Sequence, residues 1–238
     1  MKFAGVVCGK NQNIHRFIAH LATVSWQIIP EGHELTYTVV DYGSEEPYRV
    51  QLRALVNHFG LNLIEVDNDT DPWRHGRAFN IGIKASKDAD VIFTTGSDLL
   101  LPPFFFGAAV NAWKTKKIVT APLIKTRQDG EFYRAPHIFY GTITMIEKEW
   151  WFKRRGYDEG FTYWGREDID LVERALADGF ELVEIPETAW HQFHPARVNT
   201  VASKQNTKIY YGKKGKITRN PRCWGDPDKY CGGDTHDR

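Results

Sequence analysis

The sequence predicts an α/β fold in which a mostly parallel central sheet is flanked by helices. Short apolar runs rich in β-branched and aromatic residues, such as TYTVV at 36–40 and DVIFTT at 90–95, are typical of buried strands. Amphipathic segments, with apolar residues three and four positions apart, separate these runs and are typical of helices. Strands that alternate with helices form a parallel sheet covered on both faces.

The predicted elements alternate along the first half of the chain. Asn13 is a suitable helix N-cap, Gly60 ends the second helix, and Pro102 and Pro103 open the fourth. Strands are predicted at 3–8, 34–40, 61–66, 90–95 and 118–121, and helices at 13–26, 47–59, 76–86 and from 102 to about 116, with a polar loop at 67–75.

The second half is organised around residues 156–179, GYDEGFTYWGREDIDLVERALADG. A loop rich in aromatic and turn residues runs into an amphipathic helix whose apolar face includes Leu171, Ala175 and Leu176. Gly179 suits the end of this helix, because glycine adopts a positive φ at little cost. Strands are also predicted at 138–146 and 181–185, and an aromatic helix start at Trp150 and Trp151.

The composition is that of an ordinary globular protein. Its 238 residues suffice for one large domain, or one domain with an appendage. A net charge of +1 disfavours a global affinity for nucleic acid or an anionic membrane. No apolar run approaches the roughly 18 to 20 residues of a membrane span. We therefore predict a protein without a transmembrane segment, and its cysteine usage makes the cytoplasm its default location.

The three cysteines do not form a disulfide framework. Cys8 lies in the first predicted strand, and Cys223 and Cys231 are a candidate pair whose spacing fits no strong zinc pattern. A reducing compartment is the default for such a chain.

The last forty residues differ from the rest. Between residues 196 and 222 the chain has eight lysines and arginines and no acidic residue. Two interpretations remain open for this basic C-terminal segment, 196–238. One is a solvated or disordered tail, and the other is a lid whose cations close over a diphosphate or an anionic acceptor.

Acidic and histidine side chains mark a candidate site. Asp41 and Gly96-Ser97-Asp98 follow predicted strands, and the carboxyl edge of an α/β sheet is where ligands bind. Glu167 and Asp168 stand at a helix start, where they either cap the helix or have a catalytic role. His191 and His194 follow the last predicted strand. Carboxylate and imidazole suit Mn²⁺ or Mg²⁺ shared with phosphate, and a separate carboxylate suits a general base.

The motifs together resemble those of the GT-A glycosyltransferases, in particular family 2 and the branch with a C-terminal galactosyltransferase-type module. VVDYGSEEP resembles that family's VVDDGS turn, and GRAFNIGIKAS resembles its R-x-x-N-x-G-x-x-x-A segment. DVIFTTGSDLLLPP resembles the strand that carries the DxD motif. The most specific resemblance is that of GYDEGFTYWGREDIDLVERALADGFE to the block G-[FY]-D-E…W-G-x-E-D-x-D-L…R…G. Neither GxGxxG after the first strand nor GxxxxGK[ST] is present.

The resemblance implies roles for individual residues. It places Asp41 at the uracil, with Arg77, Asn80, Ser97 and Asp98 along the nucleotide-sugar. Asp168 becomes the catalytic base of an inverting transfer, and Glu167 orients an acceptor hydroxyl. Tyr163 and Trp164 stack on the acceptor, with Trp150 or Trp151 as further candidates, although core packing explains such rings equally well. His191 is the better match to the metal-binding histidine, and His194 is the alternative.

One departure from the pattern concerns the metal. Gly96 stands where the family has the first aspartate of DxD, while Asp98 retains the second. This departure motivates an alternative function, a nucleotide-sugar-binding protein without catalysis.

We expect an inverting, Mn²⁺- or Mg²⁺-assisted transferase that moves a sugar from a UDP-sugar to an acceptor hydroxyl. Residues 1–195 would form the GT-A domain, with a nucleotide-sugar-binding half at 1–121 and an acceptor half at 122–195. The acceptor would be a glycan, a lipid-linked sugar or another hydroxyl compound, while a nucleic-acid acceptor has little support from the charge. A sugar nucleotidyltransferase is disfavoured, because CGKNQNIHR is a poor Gly-rich basic loop.

Overall fold

The computed structural model describes residues 1–11, 13–67, 72–135, 140–195 and 200–230. The strands are β1 (Lys2–Gly9), β2 (Glu34–Tyr42), β3 (Asn62–Val66), β4 (Val91–Thr95), β5 (Leu99–Leu100), β6 (Lys117–Thr120), β7 (Leu123–Thr126), β8 (Phe132–Arg134), β9 (Ile143–Glu147), β10 (Glu181–Glu184) and β11 (Ala189–His191). The helices are α1 (Ile14–Ser25), α2 (Glu46–His58), α3 (His75–Ala85), α4 (Phe105–Ala112), α5 (Lys148–Arg154), α6 (Glu167–Ala177) and α7 (Thr200–Gly212).

The described strands form a central sheet in the order β10-β6-β9-β4-β1-β2-β3. Its strands pair in parallel except β9, which is antiparallel to both β4 and β6. In the parallel register Val6 is opposite Thr94 and Gly9 is opposite Asp41, so β1, β2 and β4 end at a common edge. The predicted mostly parallel sheet is confirmed, and its carboxyl edge gathers the turns that follow β2 and β4.

Helices bury apolar side chains on both faces of this sheet. Helices α1, α2 and α4 pack on one face, through residues such as Leu21, Val56 and Phe106. Helices α3, α5 and α6 pack on the other face. Gly82 of α3 lies so close to β1 that a Cβ atom there would be 2.3 Å from Val6 Cγ1. A larger residue at position 82 would therefore push the helix off the sheet.

A second, four-stranded sheet has the order β5-β11-β7-β8. Strand β11 is antiparallel to β5 and parallel to β7. Its four strands have only two to four residues each. Such short runs carry too little alternation to be identified from the sequence, and none of the four was predicted. This sheet matters because it places His191 opposite Leu99, directly beside Asp98.

Two predicted elements have different bounds in the structure. Helix α4 ends at Ala112 rather than near residue 116, because Trp113 turns into an extended conformation and its ring packs edge-on against Phe3. Strand β9 begins at Ile143, and residues 136–139 of the predicted strand lie outside the described residues.

The described part of the basic C-terminal segment, residues 200–230, packs against the domain. Asn206, Tyr210, Asn220 and Trp224 are buried there. Among the described residues, no helix has both the length and the apolar character that crossing a membrane requires. Cys8 is buried with a free thiol, and Cys231 of the candidate pair lies outside the described residues.

Candidate active site

Asp98, His191 and His194 form a cluster of potential metal ligands. Their ligand atoms all lie within 4.8 Å of one another. Asp98 Oδ2 is 3.2 Å from His191 Nε2 and 2.9 Å from His194 Nε2. The predicted alternatives for the histidine therefore both reach the same carboxylate.

The electrostatics of the cluster keep the carboxylate charged. Burial acts to raise the pKa of Asp98, but hydrogen bonds from His191 and His194 outweigh it and hold that pKa well below its usual range. The hydrogen bond to Asp98 in turn raises the pKa of His194. A carboxylate with two imidazoles is a donor set that suits a divalent transition metal, so the residues present fit Mn²⁺.

Backbone contacts fix the cluster to both sheets. Asp98 lies in the turn between β4 and β5, and its carbonyl accepts a hydrogen bond of 2.9 Å from the Gln192 backbone N–H. The Gln192 side chain reaches α1, where its Nε2 donates to the Arg16 carbonyl at 3.0 Å. The turn after β4 and the end of β11 are thus held as one unit.

Gly96 occupies the position of the missing first aspartate. A Cβ atom at this position would be 3.2 Å from Asp98 Oδ1. A side chain here would crowd the carboxylate that contacts both histidines. Asp98, His191 and His194 offer three potential ligand atoms without a carboxylate at position 96.

Asp168, the predicted catalytic base, is a buried carboxylate at the start of α6. It stands in the first turn of α6, and within the described part of the chain its carboxylate has no hydrogen-bond partner. Burial raises the pKa of Asp168 to about 7, and the neighbouring Glu167 acts in the same direction. His75 acts to lower it. A carboxylate that titrates near neutral pH is suited to accept a proton.

Glu167 is a buried supporting residue. Its Oε1 is 3.2 Å from His75 Nδ1, and its Oε2 accepts a hydrogen bond of 2.7 Å from the Gly165 N–H. Both carboxylate oxygens are therefore used inside the protein, and the predicted contact of Glu167 with an acceptor hydroxyl stays a prediction.

His75 is a site residue that the sequence did not reveal. It begins α3, packs against the rings of Trp73 and Phe79, and contacts Glu167. Burial acts to lower the pKa of His75, but its neighbours Cys8 and Glu167 outweigh burial and raise that pKa. The imidazole and the carboxylate are 92 residues apart in the chain, so no local motif links them.

Lys125 of β7 is also close to the cluster. It is opposite His191 in the register of the small sheet, and burial lowers its pKa while Asp98 acts to raise it. Tyr133 pairs with Lys125 on the next strand. Strand β7 was not predicted, so this lysine could not be placed from sequence.

Asp41 is fully buried at the end of β2. Its Oδ1 accepts from the Ser44 N–H at 3.1 Å, and its Oδ2 pairs with Arg49 Nε at 3.3 Å. The carboxylate therefore shapes the turn after β2. Its predicted contact with uracil stays a prediction.

Arg77 and Asn80 are buried on α3 and hold other segments. The Asn80 amide bonds to both the N–H and the carbonyl of Tyr157 and to Glu159 Oε1, at 2.8–2.9 Å. Arg77 donates to the Tyr42 hydroxyl at 2.8 Å and to the Asp226 carbonyl at 3.0 Å. Both side chains thus hold neighbouring segments together, and their predicted contacts with a nucleotide-sugar stay predictions.

Tyr163 and Trp164, which were predicted to contact the acceptor, are exposed and adjacent on one loop. The exposed fractions of Tyr163 and Trp164 are 43% and 63%. Tyr163 and Arg166 have φ angles of 59° and 79°, which non-glycine residues rarely adopt. Ser97, the remaining predicted residue, is half-buried in the turn beside Asp98.

The suggestion that Trp150 or Trp151 stacks on an acceptor is wrong. Both indoles are buried in the core formed by α3, α5 and α6. Trp150 Nε1 donates to Asp178, and Trp151 Nε1 donates to the Ile92 carbonyl. Because their N–H groups have internal partners, these rings are satisfied core residues.

Comparisons of the sequence with known proteins identify similar glycosyltransferases. A family model described as the N-terminal domain of galactosyltransferase matches residues 124–197, which include Asp168, His191 and His194. Polypeptide N-acetylgalactosaminyltransferase 8 of Drosophila melanogaster is 29% identical over 113 residues, covering 44% of this chain and 18% of that protein. The chain thus spans less than a fifth of this curated relative.

Solved structures resemble most of the chain in fold. The crystal structure of GalNAc-T7 with UDP, GalNAc and Mn²⁺ has a TM-score of 0.71 and 14% identity, covering 89% of this chain and 47% of that chain. A mannosyltransferase, PcManGT from Pyrobaculum calidifontis in complex with GDP-Man and Mn²⁺, has a TM-score of 0.67 and 16% identity, covering 92% and 65%. S. aureus TarS in complex with UDP-GlcNAc has a TM-score of 0.63 and 13% identity, covering 90% and 66%.

Proposed function

This chain has the GT-A glycosyltransferase fold, and we propose that it transfers a sugar from a UDP-sugar to an acceptor hydroxyl with inversion at the anomeric carbon. The observation that carries the proposal is the cluster of Asp98, His191 and His194 at the carboxyl edge of the sheet. Asp168 acts on the pKa of Cys8 near the end of β1, and this supports a position for Asp168 at the same edge of the sheet.

The metal proposed for this cluster is Mn²⁺. Asp98, His191 and His194 would hold it, and the ion would supply positive charge for the diphosphate of the donor. Two imidazoles favour Mn²⁺ over Mg²⁺, which prefers oxygen ligands. Two of the structural neighbours were solved with Mn²⁺.

The donor proposed is a UDP-sugar. The VVDYGS turn, the GalNAc-T7 structure with UDP and the TarS structure with UDP-GlcNAc support this choice over the GDP-sugar of the mannosyltransferase. Asp41 would contact the uracil. Arg77, Asn80 and Ser97 would line the binding site of the nucleotide-sugar. Lys125 adds a cation beside Asp98 on the face that would meet the diphosphate.

Asp168 is proposed as the general base. The acceptor oxygen forms a bond to the anomeric carbon while the bond from that carbon to the diphosphate oxygen breaks, and UDP leaves with the electron pair. Asp168 accepts the proton of the acceptor hydroxyl. Its titration near neutral pH and its lack of a hydrogen-bond partner in the described part of the chain support this role.

The acceptor proposed is a glycan or a lipid-linked sugar. The exposed rings of Tyr163 and Trp164 stand just before Asp168 in the chain and offer stacking surfaces for a sugar ring. A nucleic-acid acceptor has no support in the net charge of +1. Location in the cytoplasm remains a proposal from the sequence.

The decisive experiment combines a donor screen with one variant. UDP-sugars are incubated with Mn²⁺ and an acceptor panel, and UDP release is measured. We expect Asp168→Asn to lower transfer by about 10²- to 10⁴-fold, because the base is lost, while UDP binding survives. Unchanged turnover in this variant would refute the assignment of the base.

One observation favours a second candidate, a nucleotide-sugar-binding protein without catalysis. Gly96 replaces the first carboxylate of the DxD motif. UDP binding without UDP release across the whole donor and acceptor panel would select this candidate. Release that depends on Asp168 would exclude it.

A further inference from the structure

A buried histidine of α1 lies beneath the turn that carries Asp98. His20 is fully buried, with Nδ1 2.7 Å from the Leu99 carbonyl oxygen and Nε2 3.0 Å from the Tyr37 hydroxyl. The Tyr37 hydroxyl also bonds to the Thr95 hydroxyl. These four residues form a continuous chain of hydrogen bonds from Thr95 to Leu99.

The acceptor-only carbonyl of Leu99 and the neutral state of His20 together assign a direction to every bond in this chain. Burial lowers the pKa of His20 to about 4, so the imidazole is neutral and has one N–H. The Leu99 carbonyl only accepts, so Nδ1 donates to it and Nε2 accepts from Tyr37. Because the single Tyr37 proton is then used, the Thr95 hydroxyl donates to Tyr37. Burial also raises the pKa of Tyr37, which keeps the phenol protonated.

The two ends of this chain bracket the metal-binding turn. Thr95 is the last residue of β4 and Leu99 the first of β5, so only Gly96, Ser97 and Asp98 lie between them. Leu99 also pairs with His191 across the small sheet. A shift at Leu99 would therefore move two of the three proposed ligands.

We propose that His20 and Tyr37 are positioning residues that hold Asp98 and His191 in metal-binding geometry. This inference rests on the proposed function, because it takes these side chains to be metal ligands. His20 and Tyr37 would act on the metal through backbone and hydroxyl groups, without touching it. Supporting hydrogen bonds of this kind commonly tune metal affinity.

The test is a titration of the full chain with Mn²⁺ alone. The electron paramagnetic resonance signal of the unbound ion measures how much Mn²⁺ remains free. We expect Tyr37→Phe to weaken Mn²⁺ binding by about 10-fold, the lower end of the range for such partners. Tyr157→Phe is the matched control, because the buried Tyr157 hydroxyl bonds to Thr94 at 2.7 Å, one residue before Thr95. We expect Tyr157→Phe to lower the melting temperature about as much as Tyr37→Phe does, and to leave the Mn²⁺ affinity unchanged.

A pair of substitutions at His20 separates positioning from packing. The Asn side chain places an N–H₂ group near the position of Nδ1 and preserves the bond to Leu99. We expect His20→Asn to bind Mn²⁺ more tightly than His20→Leu, which fills similar space without a donor. Equal affinity in the two variants would contradict the proposal.

If the variants do not fold, the position of the His20 proton in the wild-type protein provides a second test. Long-range ¹H–¹⁵N spectra should show His20 with its proton on Nδ1 at neutral pH, and a proton on Nε2 would overturn the hydrogen-bond chain. Failure of the wild type to bind Mn²⁺ would overturn the metal assignment of the proposed function, and this inference with it. Wild-type binding with unchanged affinity in Tyr37→Phe would overturn the inference alone.

Discussion

Asp168 is the residue whose charge decides whether the proposed chemistry can proceed. Because burial and Glu167 raise its pKa to about 7, we expect the transfer rate to rise with pH and level off above this value. Below it the rate should fall about tenfold per pH unit, since only the carboxylate accepts a proton. Removing the His75 cation by His75→Gln should move the midpoint to higher pH. A flat profile between pH 5 and 8 in both proteins would contradict the role of Asp168.

The same pKa predicts a stability effect. The folded pKa of Asp168 lies above the value of about 3.9 in the unfolded chain, so the native state binds this proton more tightly. Stability from this group is therefore fully present below about pH 4 and is lost as the pH rises through about 7. We expect Asp168→Asn to raise the melting temperature at pH 8 and to leave it unchanged at pH 4. A lower melting temperature at pH 8 would show that the charged form is stabilised instead.

Individual residues were predictable where a local motif carried them. The position of His191 and His194 after the last predicted strand and the turn after β4 singled out these histidines and Asp98, and the structure brings the three together. His75 and Lys125 were not predictable, because their neighbours at the site come from distant segments. Trp150 and Trp151 show the opposite error, since an aromatic pair in sequence does not reveal whether it faces the core.

Helix α7 is the element that holds the exposed aromatic loop. Asn206 of α7 is fully buried, and its Oδ1 accepts from the Thr162 N–H at 3.1 Å. Its Nδ2 lies 2.9 Å from the Thr162 carbonyl and 3.1 Å from the Gly165 carbonyl. One side chain therefore fixes the backbone on both sides of Tyr163 and Trp164.

We expect Asn206→Ala to lower kcat/KM for the acceptor by about 10-fold or more, because the loop loses its fixed position. Unpaired backbone groups should also reduce the free energy of unfolding by about 1–3 kcal/mol. Thr207→Ala is the control on the same helix, since the Thr207 hydroxyl donates to the Ser203 carbonyl of α7 itself. UDP-sugar hydrolysis without acceptor should be unaffected in both variants, and an unchanged acceptor kcat/KM in Asn206→Ala would refute the role of this residue.

Elements with long, apolar patterns were predicted within a few residues, and α7 was not predicted at all. Its buried face is Ala202, Asn206 and Tyr210, spaced four residues apart. A polar residue at the centre of this face hides the amphipathic pattern, and surrounding lysines give the segment the composition of a tail. The buried Asn206 becomes understandable only once its partners on the loop are known.

The described part of the basic C-terminal segment forms ion pairs with acidic residues of α6 and of the loop before it. Arg219 pairs with Asp170 at 2.6 Å, and Asp170 also pairs with Arg174 at 2.8 Å. Lys213 pairs with the buried Asp158 at 3.1 Å. These contacts join residues 200–230 to the same block that carries Asp168. The predicted domain boundary at residue 196 stays a prediction.

We propose that segments distant in sequence form one metal-dependent nucleotide site. The most direct measurement is calorimetric titration with UDP, with and without Mn²⁺, of the wild type, Asp98→Asn and the control Asp88→Asn. Asp88 is exposed near the amino end of β4, at the opposite edge of the sheet. We predict that Mn²⁺ strengthens UDP binding in the wild type and in Asp88→Asn, and that Asp98→Asn loses this enhancement. Equal enhancement in all three proteins, or none in the wild type, would contradict the claim.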